Sequence, residues 1–295
     1  MNQRDQVAVF RQLHTNRPLV LPNAWDAASA RVIEQAGAQA IATTSAGVAW
    51  TYGRGDGQKL RRDEMIAVIS RIVQTVAVPV TADIEGGYGS GSVDDVTETV
   101  RAVIAAGAVG INLEDSPGSD REPLLSPDAH AERIRVAREA AQAAGGDLVI
   151  NARTDVYLFQ VGAPETRFDE AVRRANLYRA AGADCLFVPG VIDAETIAAL
   201  VQAINGPLNI MALPGAPSVP QLGRLGVARV SVGPAIAQAA LATTQRAARE
   251  LLEQGTYSTL EQNVPFGEMN GMFGRGVRSQ ESECVLTLYN SSLRT

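Results

Sequence analysis

Asp83 and Glu85 stand two residues apart at the end of the run Val80-Thr81-Ala82-Asp83-Ile84-Glu85, and Gly86-Gly87-Tyr88-Gly89 follows them. On an extended chain that spacing points both carboxylates to one side. Other apolar runs end in polar residues too. One gives Thr43, Thr44, Ser45 and Ala46, with Asp56 further along. Another gives Glu114 and Asp115, and a third Asn151, Arg153 and Asp155. Two carboxylates held ~6 Å apart repel by roughly 3 kcal/mol at an effective dielectric of 20. A cluster of four or more therefore calls for a cation. An oxygen-only donor set without nearby His or Cys favours Mg2+ or Mn2+ over zinc. Arg153 adds a planar fork suited to a carboxylate or phosphonate, or to neutralising Asp155 or Glu114. Tyr88 reads equally as a loop anchor and as a proton donor.

For these residues to act together, the elements carrying them must share one face. A unit recurs along the chain: a helical run, a Gly-Ala terminator, then an apolar strand. It appears around Gly37, Gly107, Gly182 and, with Val in place of Ala, Gly226. Eight strands are expected near Leu19–Asn23, Ala40–Ser45, Val78–Asp83, Gly110–Glu114, Leu148–Arg153, Cys185–Pro189, Asn209–Leu213 and Arg229–Val232. Helical patterns separate them, including Arg62–Val76, Val93–Ala106, Pro127–Ala144 and Phe168–Ala181. Asp26, Ser92, Ser126 and Asp193 are expected helix caps. Strands alternating with helices imply parallel pairing, and eight such units predict an α/β fold, a (β/α)8 TIM barrel. The C-terminal strand ends of such a barrel form its active face, where the polar set above falls. A doubly wound sheet would want a Gly-rich turn after the first strand, and Leu21-Pro22-Asn23-Ala24-Trp25-Asp26 offers none.

Composition narrows the partners. The chain has 295 residues, 46% of them hydrophobic, enough for one large core. A net charge of −6 gives no reason to expect nucleic acid or an anionic membrane. No apolar run approaches the ~20 residues of a membrane helix, and the polar start lacks an export signal, so a cytoplasmic location is expected. Cys185 and Cys284 are isolated thiols, with Cys185 expected in a strand core. Lys59 is the only lysine, and His14 and His130 are the only histidines, which limits Schiff-base and Ser-His or Cys-His chemistry. Both histidines are expected at the surface. The barrel is expected over 1–262. The tail 263–295, with Phe266, Met269, Met272 and Phe273, is expected to pack on the barrel or on a neighbouring subunit.

Five segments, in order, carry a resemblance: Leu-Pro-Asn-Ala-Trp-Asp (21–26), Thr-Thr-Ser-Ala-Gly-Val-Ala (43–49), Asp-Ile-Glu-Gly-Gly-Tyr-Gly (83–89), Ile-Asn-Leu-Glu-Asp (111–115) and Asn-Ala-Arg-Thr-Asp (151–155). Together they resemble the isocitrate lyase/phosphoenolpyruvate mutase superfamily over most of the chain. The resemblance implies a Mg2+-dependent barrel acting on 2-oxo acids and related compounds by breaking or forming C–C or P–C bonds. It implies Asp83 as direct metal ligand, with Asp56, Glu85 and Glu114 holding the metal's waters. Arg153 and the backbone around Thr44, Ser45 and Ala46 would bind the substrate's acid groups and oxyanion. It also implies a homo-oligomer, a dimer or tetramer, with a C-terminal helix exchanged between subunits.

One segment departs from the pattern. Isocitrate and methylisocitrate lyases carry a Lys-Lys/Arg-Cys-Gly-His motif after the fourth strand, and the mutases carry a lysine and an asparagine there. This chain has Ser116-Pro-Gly-Ser-Asp-Arg-Glu-Pro-Leu-Leu-Ser126, without Cys, His, Lys or Asn. Retro-aldol cleavage needs a base and an acid. Decarboxylation of a 3-carboxy-2-oxo acid chiefly needs an electron sink, which a chelated metal supplies by stabilising the enolate. The expectation is therefore a carbon–carbon lyase like an oxaloacetate decarboxylase, with Asp56, Arg153 and Tyr88 as catalytic candidates. The alternatives are methylisocitrate lyase-like cleavage, P–C mutase or hydrolase chemistry on a phosphonopyruvate-like compound, and a non-catalytic barrel that binds metal and acid.

Overall fold

The computed structural model describes residues 2–15, 18–118, 123–145 and 147–274. Its strands are β1 (Leu19–Leu21), β2 (Asn23–Ala24), β3 (Ile41–Thr43), β4 (Val80–Asp83), β5 (Gly110–Glu114), β6 (Val149–Arg153), β7 (Cys185–Phe187), β8 (Leu208–Met211) and β9 (Arg229–Ser231). All pair in parallel, in the order β1-β9-β8-β7-β6-β5-β4-β3-β2. The two ends of that order are neighbours in the chain. Pro22, lacking an N–H, breaks one strand into β1, which pairs with β9, and β2, which pairs with β3. The nine segments thus stand for eight barrel strands, and the fold is the expected (β/α)8 barrel.

The main helices are α1 (Gln3–Leu13), α2 (Ala27–Gln35), α3 (Ser45–Thr51), α4 (Arg62–Thr75), α5 (Val93–Ala105), α6 (Pro127–Ala143), α7 (Arg167–Ala180), α8 (Ala194–Ala203), α9 (Val219–Arg224) and α10 (Ala235–Gln254). The side chains of Asp26, Ser92, Ser126 and Asp193 each accept the amide proton three residues on, as expected of caps. Gly37 and Gly107 end their helices at φ +97° and +90°, a conformation that costs a side-chain-bearing residue energy and glycine very little. α3 is a difference from the sequence reading, which ran the second strand through Ser45. Thr44 is still extended, and the chain coils immediately after it.

The main core lies between strands and helices. A second cluster joins Val7 and Phe10 of α1 to Leu19, Leu21, Ala40, Ala42, Val109 and Val149, at the N-terminal ends of the strands. α1 thereby stoppers the barrel floor and leaves the C-terminal end for a site.

Both histidines depart from their expected exposure. His130 is fully buried, because the face of α6 that carries it also carries Ala131, Ile134 and Ala137 toward the core. Its ring meets Tyr178 edge-on at 4.7 Å. His14 is half-buried, edge-on to Phe10 at 4.8 Å. Cys185 is buried in β7, as expected. No helix among the described residues is long and apolar enough to cross a membrane. The chain divides into two compact units, Met1–Glu261 and Gln262–Thr295. In the second, α11 (Phe266–Phe273) carries Phe266, Met269, Met272 and Phe273.

Candidate active site

Asp83 is fixed from three directions. Its Oδ2 accepts the Ser45 amide proton at 3.0 Å, and its Oδ1 accepts from Asn112 Nδ2 at 3.0 Å. Its own amide donates to Thr43 Oγ1 at 2.8 Å. Asn112 in turn accepts from Asn151 Nδ2 at 2.9 Å, which continues the polar layer across β4, β5 and β6. The β4–α5 connection holds Glu85 and Tyr88 at φ +50° and +60°, a strained state for residues with side chains. Glu85 Oε1 accepts the amides of Gly57 and Gln58, tying that connection to the segment bearing Asp56.

Above this layer lies a cavity of about 180 Å3. Thr44, Ser45, Ala46, Asp56, Asp83 and Arg153 line it, as do Asn209, Arg229 and Ser231. Glu85 and Glu114 are buried behind the wall. Arg153 Nη1 contacts Glu114 Oε2 at 2.9 Å, and Nε contacts Asp155 Oδ1 at 2.6 Å. Its guanidinium lies 5.8 Å from the centre of the Phe187 ring.

The electrostatics are uneven. Burial raises Glu85 to about 7. The Gln58 amide pulls it down, while Asp83 and Asp56 push it up. Burial raises Glu114 well above the carboxylate range. Arg153 opposes this, and Asp155, Asp83 and Glu85 reinforce it. Asp56 is raised by burial and then by Asp83. Burial works against charge on Arg153, but Asp155, Glu114 and Asp83 outweigh it and its pKa rises. Burial likewise pushes Asp155 up, yet the short bond to Arg153 keeps that pair ionised.

These surplus negative charges fit a cation. Among the described residues, no three His, Cys, Asp or Glu side chains converge to ligate a metal by themselves. Asp83 lines the cavity while Glu85 and Glu114 sit behind it. That arrangement suits a hard divalent ion held by one carboxylate and by waters that the others accept from.

Of the nine residues given a catalytic, substrate or metal role from the sequence, Thr44, Ser45, Ala46, Asp56, Asp83 and Arg153 share the cavity wall, together with Thr43 and Asn151 of the same polar set. Tyr88 is buried in the main core instead, its hydroxyl near Glu85 without the geometry of a hydrogen bond. Asp115 points away from the cavity. Its Oδ1 accepts the Asp155 amide at 2.9 Å, and its Oδ2 accepts from Arg174 Nη1 at 2.9 Å and Tyr178 Oη at 2.8 Å. The sequence reading missed Arg229, Asn209 and Ser231. The available signal was a charged residue inside the apolar strand Val-Ala-Arg-Val-Ser-Val (227–232). Ser119, Asp120, Arg121 and Glu122 lie outside the described residues.

Carboxylates and a guanidinium gathered at the C-terminal strand ends of a parallel (β/α)8 barrel occupy the face where enzymes of this fold carry their active sites. The chain belongs to the isocitrate lyase/phosphoenolpyruvate mutase superfamily: residues 10–252 match the family model described as phosphoenolpyruvate phosphomutase. An uncharacterized protein of Mycobacterium tuberculosis (H37Rv) is 36% identical over 256 residues, covering 87% of this chain and 92% of that one. A candidate lyase/mutase of Burkholderia cenocepacia J2315 is similar in structure, with TM-score 0.85 and 40% identity over 92% of this chain and 96% of that one. Oxaloacetate acetylhydrolase in complex with the product oxalate aligns at TM-score 0.80 and 25% identity, over 97% and 98% of the two chains. Further relatives are a 2-methylisocitrate lyase and a 2,3-dimethylmalate lyase. The chain is an enzyme of this lyase and mutase superfamily.

Proposed function

We propose that the chain is a Mg2+- or Mn2+-dependent carbon–carbon lyase for a small 2-oxo diacid, acting like an oxaloacetate decarboxylase. One observation carries the reading. Among the described residues, the ionisable side chains on the cavity wall are two carboxylates and two guanidinia, with no lysine, histidine, cysteine or tyrosine. Such a wall can bind and polarise an acid but offers few groups to shuttle protons.

Asp83 would hold the metal, with Asp56, Glu85 and Glu114 accepting from its waters. A divalent ion bound there would supply positive charge that stabilises a developing enolate. Arg153 grips the carboxylate next to the oxo group. The Ala46 amide would orient the oxygen that gains charge, while the Ser45 amide is engaged by Asp83 Oδ2. The bond to the departing carboxylate breaks, its electron pair stays on the organic fragment, carbon dioxide leaves, and a proton from water then completes the product. The similarity to oxaloacetate acetylhydrolase supports the substrate class. The reading includes a homo-oligomer of two or four chains, to which Phe266, Met269 and Phe273 of the tail would contribute. Sedimentation finding an active monomer at micromolar concentration would remove that part.

Turnover of oxaloacetate, methylisocitrate and phosphonopyruvate, each with and without Mg2+, tests the assignment; oxaloacetate with metal should be fastest. Alanine at Ser119, Asp120, Arg121 or Glu122 should each cost less than about tenfold, or ~1.4 kcal/mol of barrier. A loss of roughly 10²–10⁴ at one of them, with binding intact, would identify a proton-transfer residue and favour retro-aldol or P–C chemistry.

A further inference from the structure

Arg229 is the anomaly of the barrel interior. It is 2% exposed, it lines the cavity, and its Nε and Nη1 have no hydrogen-bond partner. The ion pairs of Arg153 with Glu114 and Asp155 leave it out. Burial lowers its pKa to about 10, against the opposing pull of Cys185 and Asp83, so it remains a cation at neutral pH. Thr81 Oγ1 and Asn151 Oδ1, on the same wall, are also without partners. Asp56 and Asp83 share the wall with Arg229 but neither bonds to it, so its Nε and Nη1 lack an acceptor that a ligand carboxylate would supply.

The position of Arg229 indicates which end of an acid it would meet. Arg229 opens β9 and pairs in register with Leu19 and Asn209, whereas Asp83 and Arg153 close their strands. Its backbone therefore lies deeper along the barrel than theirs, and its side chain enters the cavity from the floor. An acid held at the mouth by its 2-oxo end would extend its far end toward this guanidinium.

We propose that Arg229 receives the second carboxylate of the substrate and makes the site selective for 2-oxo diacids over 2-oxo monoacids. The proposal rests on the reading of the mouth as a 2-oxo acid site. An inorganic anion such as chloride offers the same charge, so the test must separate the two sources.

The experiment reads binding, not turnover. Calorimetry with Mg2+ compares 3,3-difluorooxaloacetate, a diacid, with pyruvate, a monoacid, on wild type and Arg229→Met. The variant should lose roughly ten- to hundredfold in diacid affinity and leave pyruvate nearly unchanged. Melting in chloride-free buffer should show ligand-free Arg229→Met to be at least as stable as wild type, because buried N–H groups without acceptors have gone. If Arg229→Met does not fold, Arg229→Lys keeps the charge without the fork, and it should still lose about tenfold for the diacid alone. Equal losses for both acids, or none for the diacid, overturn the proposal. Chloride that stabilises wild type but not the variant, with diacid affinity unchanged, also overturns it and leaves a structural anion site. Wild type that binds neither acid refutes this proposal and the 2-oxo acid reading together. Wild type that binds both, without discrimination by Arg229, refutes this proposal alone.

Discussion

Two groups of buried charge lie on either side of the β5–β6 edge, and they are built differently. Outside the barrel, Asp115 accepts from the Asp155 amide, Arg174 and Tyr178, and Arg174 also reaches Glu170 at 2.7 Å. Asp115 there meets an opposite charge, and both of its oxygens accept hydrogen bonds. Inside the barrel, burial drives Glu85 and Glu114 upward, and Arg229 Nε and Nη1 have no hydrogen-bond acceptor. Burial is common to both groups, so it does not mark function. Unbalanced charge does: the outer group is complete without a ligand, and the inner one is not.

The contrast predicts that changes inside the barrel alter chemistry and changes outside alter stability. The largest effect is expected at Asp83→Ala, where turnover should fall by roughly 10⁴, about 5.5 kcal/mol of barrier, while the protein stays folded. Calorimetry should show Mg2+ affinity lost with it. Unchanged Mg2+ affinity would mean that another residue holds the ion. Asp115→Ala should behave in the opposite way. It leaves Arg174 with Glu170 as its one carboxylate partner and takes the acceptor from Tyr178 Oη and the Asp155 amide, at a cost of roughly 3 kcal/mol in denaturant unfolding. The kcat of the folded fraction should change little, and a large drop would erase the distinction.

His130 sharpens the stability half. Burial lowers its pKa to about 4, Asp115 opposes, and Arg133 adds to the lowering. The unfolded chain, with an imidazole near 6.5, takes up a proton that the folded chain refuses. Stability is therefore complete above pH 6.5 and declines as pH falls toward 4, by up to roughly 3 kcal/mol for this residue. His14, also lowered to about 4, acts with the same sign. His130→Phe should remove about half of that acid-side slope in urea unfolding. An unchanged slope would show that His130 is protonated in the fold.

The barrel was legible in the sequence because its signals are local and repeat: Gly37 and Gly107 end helices, Ser92 and Ser126 start them, and apolar runs follow. The first strand was read as one run, Leu19–Asn23, and only the sheet shows that Pro22 divides it into halves that pair with opposite neighbours. The site was legible where its residues close strands, as Asp83 and Arg153 do. Legibility failed where neighbouring residues face opposite ways: Glu114 turns toward Arg153, and Asp115 turns outward to α7. Arg229 was missed because it begins its strand, and only the closed barrel brings its side chain to the cavity. The exposure of His130 failed because one apolar face of α6 outweighs one polar ring.

Arg153 stands on the border, which makes it the finest test. Its Nη1 serves Glu114 inside, and its Nε serves Asp155, whose amide is bonded to Asp115 outside. Arg153→Lys keeps the positive charge that both carboxylates need, so unfolding should shift by less than about 1.5 kcal/mol. The planar fork is lost, and an ammonium cannot serve Glu114, Asp155 and a substrate carboxylate in one plane. KM should therefore rise by roughly ten- to fiftyfold, about 1.4–2.3 kcal/mol, with kcat falling less. The opposite pattern, a large stability loss with KM unchanged, would place Arg153 with the outer network. The inner site would then have to hold its acid through Arg229 alone, and the division between structural and functional charge would run along the cavity wall instead of through β6.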